Sequence, residues 1–293
     1  MRALAALGAV LALLPASAAG ASALPLLAPH LATREDPALA AALARIGSAY
    51  PGEVGIFVQD LRTGAYAGWN ENAQLPAAST VKLGVLAEGI RRFGFGPSSP
   101  IDSDLRAIGE WSSNLAANQV FALVGGRVPT EAALHRLGMF ASTYPEPFIL
   151  DPSEKPKKKK KEDEKPRQER KPASVGGHTR VTTAHDLARA LFRLQAAASG
   201  QAWAARETAL TRGQARAALD YLALARPETS LFEFPPGSSH AEKDGWLTDV
   251  RASAAIVFRG RNAHIVVVLA YRPGVTLGEA RSLGAAVSRA AFR

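Results

Sequence analysis

This chain of 293 residues has strand-like patterns near its two ends and helix-like patterns between them. The predicted strands are residues 53–60, 65–69, 240–246, 250–258 and 263–271. A helix preceded by an Asp-Pro pair is predicted at residues 36–50, and a closing amphipathic helix at residues 277–292. Because strands are stable only when they pair, both ends are expected to contribute to one antiparallel sheet.

The middle of the chain favours helices, which are predicted at residues 80–93, 113–124, 130–137, 183–194 and 213–224. We therefore predict an α/β fold of the α+β sandwich type. Its antiparallel sheet is formed by the N- and C-terminal segments with flanking helices, and an all-α domain is inserted between them. The predicted α/β domain covers residues 24–78 and 205–293, and the predicted all-α domain covers residues 79–204.

The first 23 residues have the pattern of a secretory signal peptide. Arg2 precedes a short apolar run at residues 3–14, and Ala-Ser-Ala occurs at residues 16–18 and again at 21–23. The run is shorter than the roughly 20 apolar residues that span a bilayer. We expect cleavage after Ala18 or Ala23 and a periplasmic or secreted mature protein; an uncleaved anchor is the alternative.

The net charge of +9 comes largely from one segment. Residues 153–172 carry ten lysines and arginines against five carboxylates, with several prolines and almost no aliphatic side chains. Such a segment cannot offset its ordering entropy by burial, so we predict a disordered basic insertion at residues 152–174. Weak contact of the insertion with an anionic wall or membrane surface is the alternative to simple solvation. The remaining excess charge is small, and we expect no nucleic-acid partner.

The chain contains no cysteine, which excludes disulfides, thiolate nucleophiles and cysteine-based zinc sites. A hydrolytic nucleophile would have to be serine, threonine or a carboxylate. Outside the basic insertion, the chain has only two lysines, Lys82 and Lys243, among many arginines. Burial can bring the pKa of a lysine close to neutrality, whereas arginine stays charged, so these two lysines are candidates for chemistry.

Both lysines lie in short motifs. The first is Ser79-Thr80-Val81-Lys82 at the start of a predicted apolar helix, where a desolvated lysine can take the proton of the serine hydroxyl. The second motif is Ser112-Ser113-Asn114, although serine and asparagine there also suit a helix N-cap. The third is Lys243-Asp244-Gly245 on a predicted strand. S-x-x-K alone is weak evidence, but the three motifs in this order are far more specific.

With these motifs, the chain resembles the serine β-lactamase and penicillin-binding-protein superfamily, nearest to class A β-lactamases, over nearly its whole mature length. The resemblance implies that Ser79 is the acylated nucleophile and Lys82 its proton acceptor or relay. It implies that Ser112 passes a proton to the leaving nitrogen, and that Lys243 binds both Ser112 and the substrate carboxylate. It implies no metal and no cofactor.

The remaining implied roles concern substrate binding. Asn114 would bind the acylamide side chain of the ligand. The backbone N–H groups of Ser79 and Trp246, which follows Gly245, would form the oxyanion hole. Arg251 on the next strand is a further candidate for the ligand carboxylate.

Two positions depart from the class A pattern. Asp244 replaces the usual threonine of K-T-G, and a carboxylate there would repel an anionic substrate unless it points away or is neutralised by Lys243. The E-x-x-L-N loop that supplies the deacylating glutamate is missing, and Glu146 is the candidate substitute before the insertion. Without such a base, an acyl-enzyme would persist.

The sequence thus leaves two classes of function open. The first is an extracytoplasmic serine hydrolase acting on a β-lactam or on a peptidoglycan-like peptide ending in D-Ala, and β-lactam hydrolysis is the interpretation that the resemblance favours. The second is a wall-binding module of the same fold with little turnover. We expect a monomer in either case.

Overall fold

The computed structural model describes residues 24–25, 27–31, 33–150 and 177–293. Its strands are β1 (Arg34–Glu35), β2 (Glu53–Asp60), β3 (Ala65–Trp69), β4 (Leu75–Pro76), β5 (Val181–Thr182), β6 (Ser239–Trp246), β7 (Val250–Arg259) and β8 (Asn262–Tyr271). Its helices are α1 (Pro37–Ser48), α2 (Lys82–Phe93), α3 (Asp102–Trp111), α4 (Asn114–Leu123), α5 (Arg127–Arg136), α6 (Ala184–Ala198), α7 (Ala202–Thr208), α8 (Arg212–Leu222) and α9 (Leu277–Ala291). The predicted signal peptide and the predicted basic insertion lie outside the described residues.

The main sheet joins the two ends of the chain. Its strand order is β1-β3-β2-β8-β7-β6, and its pairs are antiparallel apart from the parallel pair of β1 and β3. Strand β2 pairs with β8 along its full length, from Glu53 opposite Tyr271 to Asp60 opposite His264. Strand β6 lies at one edge, so one row of its backbone N–H and C=O groups faces away from the sheet.

The two faces of this sheet are covered by different helices. Alternate residues of β2, including Ile56 and Val58, pack with α1 and α9 in one apolar cluster. The opposite face, which includes Phe57 and Val267, packs against the helical part of the chain in a second cluster. The layers are therefore helix, sheet and helix, which confirms the predicted fold class.

Helix α2 lies at the centre of the helical part, and each of its residues from Lys82 to Ile90 is buried. The predicted boundary between residues 204 and 205 falls within α7, and the next helix, α8, packs with α6 in the same cluster. The division into two domains stays a prediction. None of the described helices is long and apolar enough to cross a membrane.

Candidate active site

Ser79 lies in a tight turn between β4 and α2. The short sheet of β4 and β5 fixes the start of this turn, where the Ala77 N–H donates to the Arg180 carbonyl at 3.0 Å. Ala78 has a positive φ of 46°, which costs an L-residue about 1 kcal/mol or more. The Lys82 N–H then donates to the Ser79 carbonyl at 3.1 Å. Ser79 is thus held at the entrance to α2, with a partly exposed side chain.

Lys82 begins α2, and its ammonium nitrogen is held by the second motif. Nζ donates to the Ser112 carbonyl at 2.5 Å and to Asn114 Oδ1 at 2.7 Å. Burial, reinforced by the positive charges of Lys243 and Arg180, lowers the pKa of Lys82 to about 6. At neutral pH the side chain is therefore mainly a free amine. Its two N–H groups serve these two acceptors, and its lone pair can accept a proton.

The second motif forms the junction of α3 and α4. Ser112 adopts a left-handed conformation, with φ 55° and ψ 34°, as the C-cap of α3, and its side chain is buried. Ser113 caps α4 by accepting a hydrogen bond from the Ala116 N–H at 3.2 Å. The capping role that serine favours thus falls to Ser113. Ser112 is left free to turn its carbonyl toward Lys82 and its hydroxyl toward Lys243.

Lys243 and Asp244 lie on edge strand β6 beside Ser112. Lys243 Nζ donates to Ser112 Oγ at 2.7 Å, to the Asp244 carbonyl at 2.9 Å and to Asp244 Oδ1 at 3.0 Å. Both residues are buried, with 0% and 5% of their surfaces exposed. Asp244 therefore neutralises the charge of Lys243 within the site.

Gly245 brings the edge of β6 against the Ser79 turn. A Cβ at this position would lie 2.7 Å from the Ser79 nitrogen and 3.1 Å from the Thr80 nitrogen, so only glycine fits. The free edge of β6 and the Ser79 N–H therefore meet, which is the arrangement an oxyanion hole needs.

Trp246 and Arg251 lie opposite each other on β6 and β7. The Trp246 side chain is partly exposed. Arg251 turns back onto the β6–β7 connection, where Nη1 donates to the carbonyls of Leu247 and Val250. Its described hydrogen bonds do not involve Lys243 or Ser112.

The segment after α5 closes the site from the other side. Asn118 on α4 exchanges two hydrogen bonds with the backbone of Phe148, each at 2.7 Å. One turn earlier on α4, Asn114 Nδ2 donates to the Ile149 carbonyl at 3.2 Å. This anchoring places the Phe148 ring 4.2 Å from Lys82 Nζ. We call residues 145–150 the closing loop.

Arg180 supports the closing loop from behind. Its guanidinium lies 4.1 Å from the centre of the Phe148 ring and donates to the carbonyls of Glu146 and Pro147 at 2.7 and 2.6 Å. The Glu146 side chain is exposed, and no hydrogen bond joins it to Ser79, Lys82 or Ser112. The closing loop therefore presents an aromatic ring, not a carboxylate, to Lys82.

Phe148 and Arg180 are site residues that sequence reasoning missed, and Asn118, which extends the second motif along the chain, was given no role by it. Each reaches the site through contacts with residues distant in sequence, and only the Pro-rich run before Phe148 hinted at an ordered loop. In the described part of the chain, no cluster of three or more histidine or carboxylate side chains could hold a metal ion.

Comparisons with known proteins agree on one family. A sequence model of the beta-lactamase enzyme family matches residues 38–103 and 105–293. The structure is similar to that of PBP-A, with a TM-score of 0.68 and 17% identity over 88% of this chain and 97% of the other. A leucine-to-glutamate variant of PBP-A, solved as an acyl-enzyme with penicillin G, has a TM-score of 0.67 and 17% identity over 88% of this chain and 97% of its own. The structure is also similar to that of a class A β-lactamase from Mycobacterium abscessus, with a TM-score of 0.65 and 17% identity over 86% of this chain and 98% of the other. Curated protein sequences gave no match.

Proposed function

Because the chain belongs to the beta-lactamase enzyme family, we propose that it is a serine hydrolase that transfers an acyl group to Ser79 and releases it slowly to water. The observation that carries this proposal is the setting of Lys82. Its amine is buried beside the Ser79 turn, and the pKa of about 6 leaves it unprotonated at neutral pH. A serine hydroxyl needs such a base to become a nucleophile.

In the proposed acylation, the Ser79 hydroxyl oxygen attacks the carbonyl carbon of the substrate and its proton passes to Lys82. The backbone N–H groups of Ser79 and Trp246 stabilise the oxyanion. As the bond to the leaving group breaks, the Ser112 hydroxyl gives its proton to the leaving atom and is reprotonated from Lys82. Ser112 is placed for this relay because its carbonyl positions the Lys82 amine and its hydroxyl is held by Lys243.

The fate of the acyl-enzyme separates the two enzymatic activities. A β-lactamase must activate water for deacylation, whereas a penicillin-binding peptidase keeps a β-lactam on its serine. Among the described residues, the Phe148 ring beside Lys82 offers no base for that water, and this favours slow release of the acyl group over efficient β-lactamase turnover. PBP-A, whose variant was captured as a penicillin G acyl-enzyme, is a fitting structural relative for such an activity.

The test is acylation by penicillin, followed by intact mass spectrometry and by turnover of a chromogenic cephalosporin. We expect the mass of one penicillin to be added to the wild-type protein, slow turnover, and neither in Ser79→Ala. Ser282→Ala, on the exposed face of α9, is the matched control and should behave as wild type. Fast turnover would identify a β-lactamase. If no acylator adds to Ser79, the wall-binding module is the better description.

Phe148→Glu tests the proposed cause of slow release. A carboxylate at this position would face Lys82 and could activate water, so deacylation should accelerate by roughly 10²-fold or more. Phe148→Leu removes the ring without adding a base and serves as the control. Equal deacylation rates in the two variants would contradict this role for the closing loop.

The N-terminal sequence supports the proposal that the protein acts in the periplasm or after secretion. Arg2, the apolar run of residues 3–14 and the Ala-Ser-Ala tripeptides support export and cleavage after Ala18 or Ala23. N-terminal sequencing of the protein from a producing cell would find one of these two starts. A chain that retains Met1 would contradict cleavage.

A further inference from the structure

Lys243 has no N–H left for a ligand. A lysine ammonium has three donors, and here they are matched by Ser112 Oγ, the Asp244 carbonyl and Asp244 Oδ1, at 2.7 to 3.0 Å. With its side chain 1% exposed, Lys243 cannot turn toward solvent for another partner. A substrate carboxylate beside Ser112 would have to displace Asp244 and would then lie next to its negative charge.

Two other cations of the site already donate to backbone carbonyls, and a third, Arg226, lies 3.1 Å from the centre of the Trp111 ring and pairs with Glu110. Arg251 Nη1 is tied to the carbonyls of Leu247 and Val250. Arg180 lies against Phe148 and is bound to two carbonyls of the closing loop. Beside Ser112, the charge of Lys243 is therefore balanced by Asp244 and is not directed at a ligand.

Six exposed apolar side chains lie next to the motif residues in the chain or belong to the closing loop. They are Trp111, Leu115, Ile149, Leu150, Trp246 and Leu247, which are between 41% and 57% exposed. Trp111, Leu115 and Trp246 directly adjoin Ser112, Asn114 and Gly245 in the chain, and Ile149 accepts the Asn114 hydrogen bond. Exposed apolar side chains grouped around a cleft indicate an apolar ligand surface.

We propose that the site takes acyl donors whose leaving group is uncharged, such as neutral esters, thioesters and amides with apolar substituents, in preference to donors that carry a carboxylate there. This inference rests on the proposed acyl transfer to Ser79 and specifies its substrate class. In the reaction of a thioester, the Ser79 oxygen bonds to the carbonyl carbon and the C–S bond breaks. The serine proton reaches the sulfur through Lys82 and Ser112, and water later hydrolyses the Ser79 ester.

A matched pair of probes tests the charge preference directly. The benzoylglycyl thioesters of mercaptoacetic acid and of mercaptoacetamide differ only in a leaving-group carboxylate or carboxamide. Released thiol is measured with a disulfide chromophore, to which a chain without cysteine contributes no background. After normalisation to the hydroxide-catalysed rates, wild-type kcat/KM should favour the carboxamide by roughly tenfold or more, because a like charge beside Asp244 is repelled.

Substitution of Asp244 should weaken this preference for the carboxamide. Asp244→Thr removes the charge and releases the Lys243 donor that Asp244 Oδ1 accepts, so the ratio of carboxylate to carboxamide rates should rise by roughly tenfold or more. Asp244→Asn keeps the shape and removes only the charge, so its ratio should move in the same direction. Circular dichroism checks that each variant is folded. If a variant does not fold, the wild-type ratio of carboxylate to carboxamide rates alone tests the charge preference.

The outcomes separate this inference from the proposed function. A Ser79-dependent preference of the wild type for the carboxylate would overturn the inference and leave acyl transfer intact. A ratio that is the same in wild type and in folded Asp244 variants would also overturn it. Release that is equal in wild type and Ser79→Ala would overturn both the inference and the proposed function.

Discussion

At the scale of single residues, the chemistry of the site depends on how buried charges are partnered. Lys82 has only neutral hydrogen-bond acceptors, the Ser112 carbonyl and Asn114 Oδ1, so burial dominates and its pKa falls to about 6. Lys243 is equally buried, but it has the Asp244 carboxylate as a partner. In the proposed mechanism, the two lysines of the described chain therefore have different roles: Lys82 is the base, and Lys243 is held by the carboxylate of Asp244.

The pH dependence of acylation follows from the pKa of Lys82. The amine accepts the Ser79 proton only when it is neutral, so the acylation rate should rise with pH, reach half its maximum near pH 6 and then level off. Lys82→Arg retains a cationic side chain that stays protonated, and it should lose about 10²-fold or more of the rate. Rapid-quench mass spectrometry from pH 5 to 8 measures both. A flat wild-type profile would rule out this role for Lys82.

The titration of Glu242 should make the free energy of unfolding depend on pH, independently of the acylation rate. Its buried carboxyl accepts a hydrogen bond from Ser230 at 3.0 Å, and burial, with added repulsion from Asp244, raises its pKa to about 7. Between the ordinary carboxyl pKa and about 7, the folded protein keeps a proton that the unfolded chain has released. Stability should therefore fall as pH rises through this window and stay constant above it.

Glu242→Gln removes this titration. The variant should gain roughly 3 kcal/mol over wild type at pH 8 relative to pH 4, and its own profile should be flatter. Urea unfolding at a series of pH values measures the difference. Parallel profiles for the two proteins would show that Glu242 does not hold a proton in the folded state.

At the scale of elements, the close approach of β6 to the Ser79 turn sets the geometry of the site. Gly245→Ala would place a methyl group 2.7 Å from the Ser79 nitrogen, so the strand or the turn must shift. A shift of this kind should lower the acylation rate by roughly 10²-fold. Gly278→Ala, near the start of α9, meets no atom within 4 Å and is the matched control. Equal acylation rates in the two variants would contradict the packing argument.

The closing loop depends on α4 for its position. Asn118→Ala removes both hydrogen bonds to the Phe148 backbone, which should cost about 1–3 kcal/mol and loosen the ring over Lys82. Asn262→Ala, whose exposed side chain accepts from Arg62, is a control expected to cost under about 0.5 kcal/mol. Thermal unfolding measures the cost, and faster deacylation in Asn118→Ala alone would support the role of the loop.

The helices and strands could be predicted where the alternation or helical spacing of apolar residues is clear within the segment itself. Strands β2 and β3 have the limits that alternation predicted, and β7 and β8 differ by one residue at one end. The predicted start of α2 at residue 80 was too early, since residues 79–82 form a turn with i to i+3 hydrogen bonds. Helices α3 and α7 were missed. In α3 the buried Leu105, Ile108 and Gly109 recur at helical spacing, so its pattern was present in the sequence, whereas α7 has only seven residues.

The candidate site shows the same limit. The three motifs could be found in the sequence because each is contiguous, and the structure brings them together around Ser112. The closing loop could not, since the approach of Phe148 to Lys82 depends on hydrogen bonds across 30 residues. Likewise, the pairing of Lys243 with Asp244 was one of two possible orientations that the sequence left open.

At the scale of the whole molecule, the site is built from parts that meet only when both ends of the chain are in the sheet. Ser79 and Ser112 come from the helical part, and Lys243 comes from β6. The pairing of β2 with β8 holds the N-terminal strands to the C-terminal ones. Loss of this sheet should therefore remove activity at the same temperature at which the fold is lost.

Ile56→Ala tests this coupling from a position remote from the site. Ile56 is fully buried on β2, opposite Val268, in the cluster that faces α1 and α9. Truncation should cost about 2–5 kcal/mol and lower Tm by roughly 5–15 °C. Leu83→Ala makes a comparable cavity in α2, within the other cluster, and should act alike. In both variants, loss of Ser79 acylation and loss of circular dichroism should coincide on heating. If Ile56→Ala loses its circular dichroism on heating while Ser79 is still acylated, acylation does not require the intact sheet. The position of Lys243 on β6 would then not be needed for acylation.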